Sequence, residues 1–185
     1  PFVVLLGKGE HPITSSWTSQ FSAEFATSLE ITRSNITFVG TGKDATTVLG
    51  SFVIYNFENI TFKNMTMTRC MTNTSDSGRG ILMSNAKVEL MDVALKGFGQ
   101  FALYMNSSAS KSALVATRCE FANSEYGTQV YGTIGSSATF KNCVFHDNKR
   151  YGVYAANNAT IHLHGKATAI HSNGNDGIFA VCNAK

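Results

Sequence analysis

A repeat of about 25 residues runs through most of this chain and limits what it can fold into. Gly127, Gly152 and Gly177 are 25 residues apart, and each opens an apolar run: Gly127-Thr-Gln-Val-Tyr, Gly152-Val-Tyr-Ala-Ala and Gly177-Ile-Phe-Ala-Val. A second set of strand-like segments keeps step: Ile36-Thr-Phe-Val, Ile60-Thr-Phe-Lys, Val88-Glu-Leu-Met, Ala113-Leu-Val-Ala, Ala138-Thr-Phe-Lys and Ile161-His-Leu-His. Self-similarity at a fixed period of this length marks a solenoid, because one unit cannot bury its apolar side alone and stacked units can. The units alternate apolar and polar residues, so they are strands and the solenoid is a parallel β-helix.

Alternation assigns the interior. One inward column reads Phe38, Phe62, Leu90, Val115, Phe140 and Leu163, and its outward companion reads Thr37, Thr61, Glu89, Leu114, Thr139 and His162. A second inward column holds Phe101, Val130 or Thr128, Val153 and Ile178. Residues 70–80 form an insertion that bulges from one edge. Phe145-His-Asp-Asn148 aligns with Ile170-His-Ser-Asn173. This predicts a ladder of Asn148 over Asn173 bonded to turn backbone, with His146 stacked on His171.

Residues 1–30 read as an N-terminal cap and residues 31–185 as the coils of a single domain. Residues 2–6 are a first strand. Trp17, Phe21, Phe25 and Leu29 recur every four residues behind Ser15-Ser16. That stripe predicts a short amphipathic helix that plugs the end of the core, or else a long loop with buried aromatics. The chain opens at Pro1 directly before a strand and stops at Cys182-Asn-Ala-Lys straight after one. The expectation is part of a longer chain or assembly, with a partner or neighbouring subunit over the C-terminal coil.

Composition excludes several classes. Charged residues make up 15%, against about 25% in average domains. Ser and Thr number 37 of 185 residues and Asn 15, so the surface is polar but uncharged. Net charge is +3 without a basic run, so no nucleic-acid partner is expected. No apolar stretch reaches the length of a membrane span. This composition suits an extracellular or virion surface. Cys70, Cys119, Cys143 and Cys182 lack the spacing of a zinc site. Cys119 and Cys143 fall on neighbouring coils, where strands lie about 4.8 Å apart, either as buried free thiols or as a disulfide.

Residues 31–50, Ile31-Thr-Arg-Ser-Asn-Ile-Thr-Phe-Val-Gly-Thr-Gly-Lys-Asp-Ala-Thr-Thr-Val-Leu-Gly50, and Glu58-Asn-Ile-Thr-Phe-Lys-Asn64 carry a family resemblance. They resemble the opening of the pectin-lyase-like superfamily, its pectin methylesterase branch above all, with a G-x-G-x-x-x-T turn followed by an x-I-T-F-x-N strand. The resemblance implies an all-β, right-handed parallel β-helix, of about six or seven coils here. It does not carry the catalytic part. The methylesterase branch uses a Gln, two Asp and an Arg, and Gly97-Phe-Gly-Gln100-Phe-Ala-Leu-Tyr104 lacks the Asp of the segment it resembles. The lyase branch needs clustered carboxylates for Ca²⁺ and an Arg base, whereas Asp44, Asp76, Asp92, Asp147 and Asp176 each stand alone in a turn or at a strand end.

Four sets of residues remain as candidates. His146, Asp147 and His171 are the best acid/base cluster, weighed against a polar turn ladder. Tyr104, Tyr131, Tyr154 and Phe179 form an outward aromatic strip able to stack on sugar rings or dock a protein, weighed against ordinary strand preference. His162 and His164 point outward beside Lys141 without a carboxylate or thiol to complete a metal site, so no metal and no cofactor are expected. Six N-x-S/T sequons occur, with Asn73 and Asn106 the best glycan acceptors. The expected function is a non-catalytic structural or adhesive rod that contacts a protein partner or glycan. The alternative is a polysaccharide-active enzyme of the lyase, esterase or epimerase type.

Overall fold

The computed structural model describes residues 1–18, 24–25, 27–69 and 78–185. The chain winds about six turns of a right-handed parallel β-solenoid. The first pass comprises β1 (Phe2–Leu5), β2 (Gly9–Pro12), β3 (Trp17–Thr18), β4 (Glu24–Phe25) and β5 (Ser28–Ile31). Then come β6 (Ile36–Val39), β7 (Thr46–Leu49) and β8 (Ser51–Tyr55), followed by β9 (Ile60–Thr68) and β10 (Arg79–Ser84). The next coil has β11 (Lys87–Lys96) and β12 (Phe101–Asn106), and the one after it β13 (Ala113–Thr117), β14 (Glu120–Ala122) and β15 (Tyr126–Tyr131). The last two coils hold β16 (Ser137–Lys141), β17 (Val144–His146) and β18 (Val153–Ala156), then β19 (Thr160–His164), β20 (Ala169–His171) and β21 (Ile178–Val181).

The strands stack into three faces. The first runs β1-β6-β9-β11-β13-β16-β19. The long strands β9 and β11 bend onto a second face, shared with β2, β7, β14, β17 and β20. The third is a 7-stranded sheet, β5-β8-β10-β12-β15-β18-β21. Parallel pairing is already present in β1, β2 and β5, which lie against β6, β7 and β8.

Left-handed residues make the corners. Asn64, Asp92, Arg118 and Asn142 have φ of 54–56° between the first and second faces, continued by Gly165 at 92°. Gly97, Asn123, Asp147 and Ser172 do the same between the second and third. Among side-chain-bearing residues, Asn and Asp enter this region most readily. Among the described residues ten asparagines have positive φ, so the asparagine excess is first a backbone requirement. The repeated glycines answer a different one. A Cβ on Gly127 would lie 2.4 Å from the Gly152 carbonyl oxygen, and one on Gly152 2.8 Å from that of Gly177.

The interior is a set of side-chain columns. Phe62, Leu90, Ala116, Phe140 and Leu163 share one register row. Phe38 stacks on Phe62 with ring centroids 5.1 Å apart, and Phe52 closes on Phe62 at 4.7 Å. Phe121 stacks on Phe145 at 4.9 Å, with Phe140 edge-on to both. Burying each such side chain contributes about 1.5–3 kcal/mol.

Three expectations are corrected. Val115 is 45% exposed and Leu114 and Ala116 are buried. Coil length drifts here, with Lys87 opposite Ala113 and Ala113 opposite Ser137, and a one-residue slip exchanges the two faces of a strand. Phe101 leaves the second inward column, because it pairs with Tyr126 and the column runs Leu103, Thr128, Val153, Ile178. No capping helix occurs among the described residues. Trp17 pairs with Phe25 in an antiparallel ribbon, and Leu29 belongs to β5. The four-residue spacing runs across three separate strands, so it reports no single element. Phe21 and residues 70–77 of the expected insertion lie outside the described residues.

Candidate functional site

The outer side of the third face carries a continuous aromatic tract. Tyr104, Gln129, Tyr154 and Phe179 form one register row. Tyr131 lies two residues further along its strand, opposite Ala156, and so leaves that row while staying on the same side. Beside it runs a second rank, Phe101, Tyr126 and Tyr151, with centroids 4.9 and 5.7 Å apart. The ranks interlock: Tyr151 stacks on Phe179 at 4.8 Å, Tyr154 on Phe179 at 5.6 Å, and Phe101 meets Tyr104 at 5.3 Å. All of these rings are partly exposed.

Two guanidinium groups border the rings. Arg79 lies 5.4 Å from the Tyr104 centroid and 5.9 Å from that of Phe101. Arg150 sits 5.7 Å from the Tyr126 centroid, donates to its hydroxyl at 3.0 Å, and is held by Glu125 at 2.9 Å. Burial raises the pKa of the Tyr104 and Tyr154 phenols, so they stay neutral donors and acceptors. Flat apolar faces rimmed by hydroxyls suit ligands with an apolar face and a polar edge, as a sugar ring has.

Sequence reasoning missed Phe101, Tyr126 and Tyr151. A signal was present: Tyr-Gly occurs at 126–127 and again 25 residues later at 151–152. Turn-edge position hid it, because inward and outward alternation does not apply there.

The second face brings His146, Asp147 and His171 together with two unforeseen residues. His146 Nδ1 is 2.6 Å from Asp147 Oδ2, and its Nε2 is 2.9 Å from Glu120 Oε1. Lys96 pairs with Glu120 at 2.7 Å. His171 stacks on His146 at 5.3 Å and bonds Ser172 rather than a carboxylate. Both nitrogens of His146 face carboxylate oxygens of the protein itself, so neither is directed at a bound substrate. This geometry describes an ion-pair ladder across successive coils.

Burial by itself lowers the His146 pKa, but the bonds to Asp147 and Glu120 outweigh it and set the value above the ordinary one. Burial by itself raises Glu120, and Lys96 and His146 outweigh it to set a value below the ordinary one. A raised histidine stabilises fully below its unfolded pKa and loses that contribution as pH rises through its folded pKa. A lowered glutamate stabilises above its unfolded pKa and loses its contribution as pH falls through its folded pKa. The cluster is therefore strongest between about pH 4.3 and 6.5. The stability gap between wild type and His146→Gln, measured by urea unfolding, should be widest there and shrink steadily towards pH 9. A gap that widens with rising pH would contradict the ladder.

The Asn ladder is present. Asn148 Nδ2 donates to Asn173 Oδ1 at 2.9 Å and to the Phe121 carbonyl at 3.1 Å, and Ser124 N–H donates to Asn148 Oδ1 at 3.2 Å. Cys119 and Cys143 are buried free thiols and Cys182 an exposed one. Their sulfurs donate to carbonyls, Cys119 to Thr117 at 3.3 Å and Cys143 to Ala116 at 3.4 Å. Asn73 lies outside the described residues. Asn106 turns its side-chain oxygen onto the Ser107 N–H at 2.7 Å.

Stacked coils, left-handed corners and columnar packing define a right-handed parallel β-helix. The chain belongs to the right-handed beta helix region family, which matches residues 20–185. ORF18 of Geobacillus virus E2 superposes with a TM-score of 0.58 at 18% identity, covering 94% of this chain and 33% of that one. The chain thus spans about a third of the viral protein's length. A pectin methylesterase crystallised with a hexasaccharide gives 0.46 at 12% identity, with 90% and 58% covered. The A-module of the Azotobacter vinelandii mannuronan C-5 epimerase AlgE4 gives 0.44 at 14%, with 96% and 65% covered. No curated protein matches the chain. At 18% identity the likeness to the viral protein speaks for the fold alone.

Proposed function

We propose that this protein is a non-catalytic β-helix rod of a virion or extracellular surface, and that the aromatic tract of its third face holds a glycan. The observation that carries the reading is the pair of interlocked ring ranks, Phe101–Tyr126–Tyr151 and Tyr104–Tyr154–Phe179. Stacked strands hold the Phe101, Tyr126 and Tyr151 rings 4.9 and 5.7 Å apart on a rigid sheet, so they present stacking surfaces in series with little ordering cost. The carboxylate-blocked imidazole of His146 favours a structural role for the best acid/base cluster.

The test is affinity electrophoresis against a panel of soluble neutral and acidic polysaccharides. Wild type should be retarded by at least one of them. Tyr126→Ala and Tyr151→Ala should each weaken that retardation at least tenfold, while His146→Ala leaves it unchanged. Retardation by none, or equal retardation of the tyrosine variants, removes the glycan reading. Cleavage of any panel member that is lost in His146→Ala would replace it with the polysaccharide-active enzyme.

A further inference from the structure

We infer that His162 and His164 form a two-imidazole site for a divalent late transition metal on the outer side of β19. Three histidines of this chain use a ring nitrogen within the protein: His11 on the Gly7 carbonyl, His146 on two carboxylates, and His171 on Ser172. Among the described residues His162 and His164 do not, and both are exposed. Their rings stand 5.9 Å apart and within 11° of parallel.

The strand enforces this arrangement. Ile161 and Leu163 pack against the core, so residues 162 and 164 must emerge on the same outer side. The backbone that carries them is pinned. The Ile161 N–H donates to the Lys185 carbonyl at 2.7 Å, and the His164 carbonyl accepts from the Asn142 N–H at 2.8 Å. The Thr168 hydroxyl also donates to that carbonyl. Rotation about the side-chain torsions turns one ring nitrogen of each towards a shared ion, and the rigid strand that carries both makes the pair a chelate, because binding the first orders little that the second must order again.

Imidazole suits Cu²⁺, Ni²⁺ and Zn²⁺, and the affinity order favours Cu²⁺ over Ni²⁺. The described residues supply no cluster of three or more metal-binding side chains, so water completes the coordination and the site is open. Lys141 pairs in register with His164, and its charge weakens the site without occupying a ligand position. This assignment departs from the sequence expectation of no metal, which rested on the missing carboxylate or thiol.

Calorimetric titration of the untagged full chain with NiCl₂, and separately with CuCl₂, tests the site. One ion should bind per chain, Cu²⁺ more tightly than Ni²⁺. His162→Ala and His164→Ala should each weaken binding at least tenfold, and His171→Ala should leave it unchanged. Far-UV circular dichroism should show all three variants folded as wild type. Absence of saturable binding, insensitivity to either single substitution, or loss of binding in His171→Ala would overturn the assignment.

Discussion

Phe62→Ala is expected to cost about 3–5 kcal/mol of unfolding free energy, the range for removing a fully enclosed aromatic side chain. Phe62 has 0% exposure and stands where three columns meet. It stacks on Phe38 in the preceding coil, touches Phe52 across the interior, and lies over Leu90 of the following coil. Those neighbours are strands fixed by hydrogen bonds on both sides, so they cannot close the void, and the cavity term adds to the lost transfer energy. Urea unfolding followed by circular dichroism measures the loss. Phe62→Leu, which keeps most of the volume, should recover more than half of it. A Phe62→Ala cost under about 1 kcal/mol would mean that the interior relaxes freely, contrary to the close packing that the columns imply.

Asn148→Ala should cost about 2–4 kcal/mol, although it removes no large apolar surface. Asn148 is 1% exposed, and its amide answers three partners, two in the preceding coil and one in the following coil. The Ser124 N–H donates to it, the Phe121 carbonyl accepts from it, and Asn173 continues the ladder. Alanine leaves the Ser124 N–H and the Phe121 carbonyl buried beside a space too small for ordered solvent. Each stranded group costs about 1–3 kcal/mol. Asn148→Asp is the informative companion. It keeps the acceptor for Ser124, removes both donated bonds, and buries a charge, so it should destabilise at least as much as alanine. If Asn148→Asp were as stable as wild type at neutral pH, the ladder would contribute nothing.

Much of this architecture was legible in the sequence, for a physical reason. Stacking demands that like residues recur, so Gly127, Gly152 and Gly177 and the Ile-Thr-Phe segments report the pitch directly. The Asn148–Asn173 and His146–His171 stacks followed from the same recurrence. What stayed hidden depended on single-residue offsets. Coil lengths wander, and the slip at Ala113 turned Val115 outward and Leu114 inward. Tyr131 was counted into a row that Gln129 fills for the same reason. The Trp17, Phe25 and Leu29 spacing imitates one helix face although the three residues fall on three separate strands. Glu120 escaped notice as a partner of His146 because it lies 26 residues upstream on a neighbouring coil, where only the register reveals the contact. The second aromatic rank sits where strands turn, beyond the reach of alternation.

The ion pairs Lys87–Glu58, Lys96–Glu120, Arg118–Asp92 and Arg150–Glu125 each join one coil to the next, as the strand ladders do. Among the described residues the contacts between coils run almost entirely to the adjacent coil, with the exposed bond from Lys43 Nζ to the Arg118 carbonyl at 3.3 Å as an exception. Assembly can therefore keep pace with synthesis, since each newly emerged segment meets a finished template and adds one layer to it. A ribosome-stalled series truncated at successive corners should show ordered structure growing in steps, one layer at a time, from the N-terminal side.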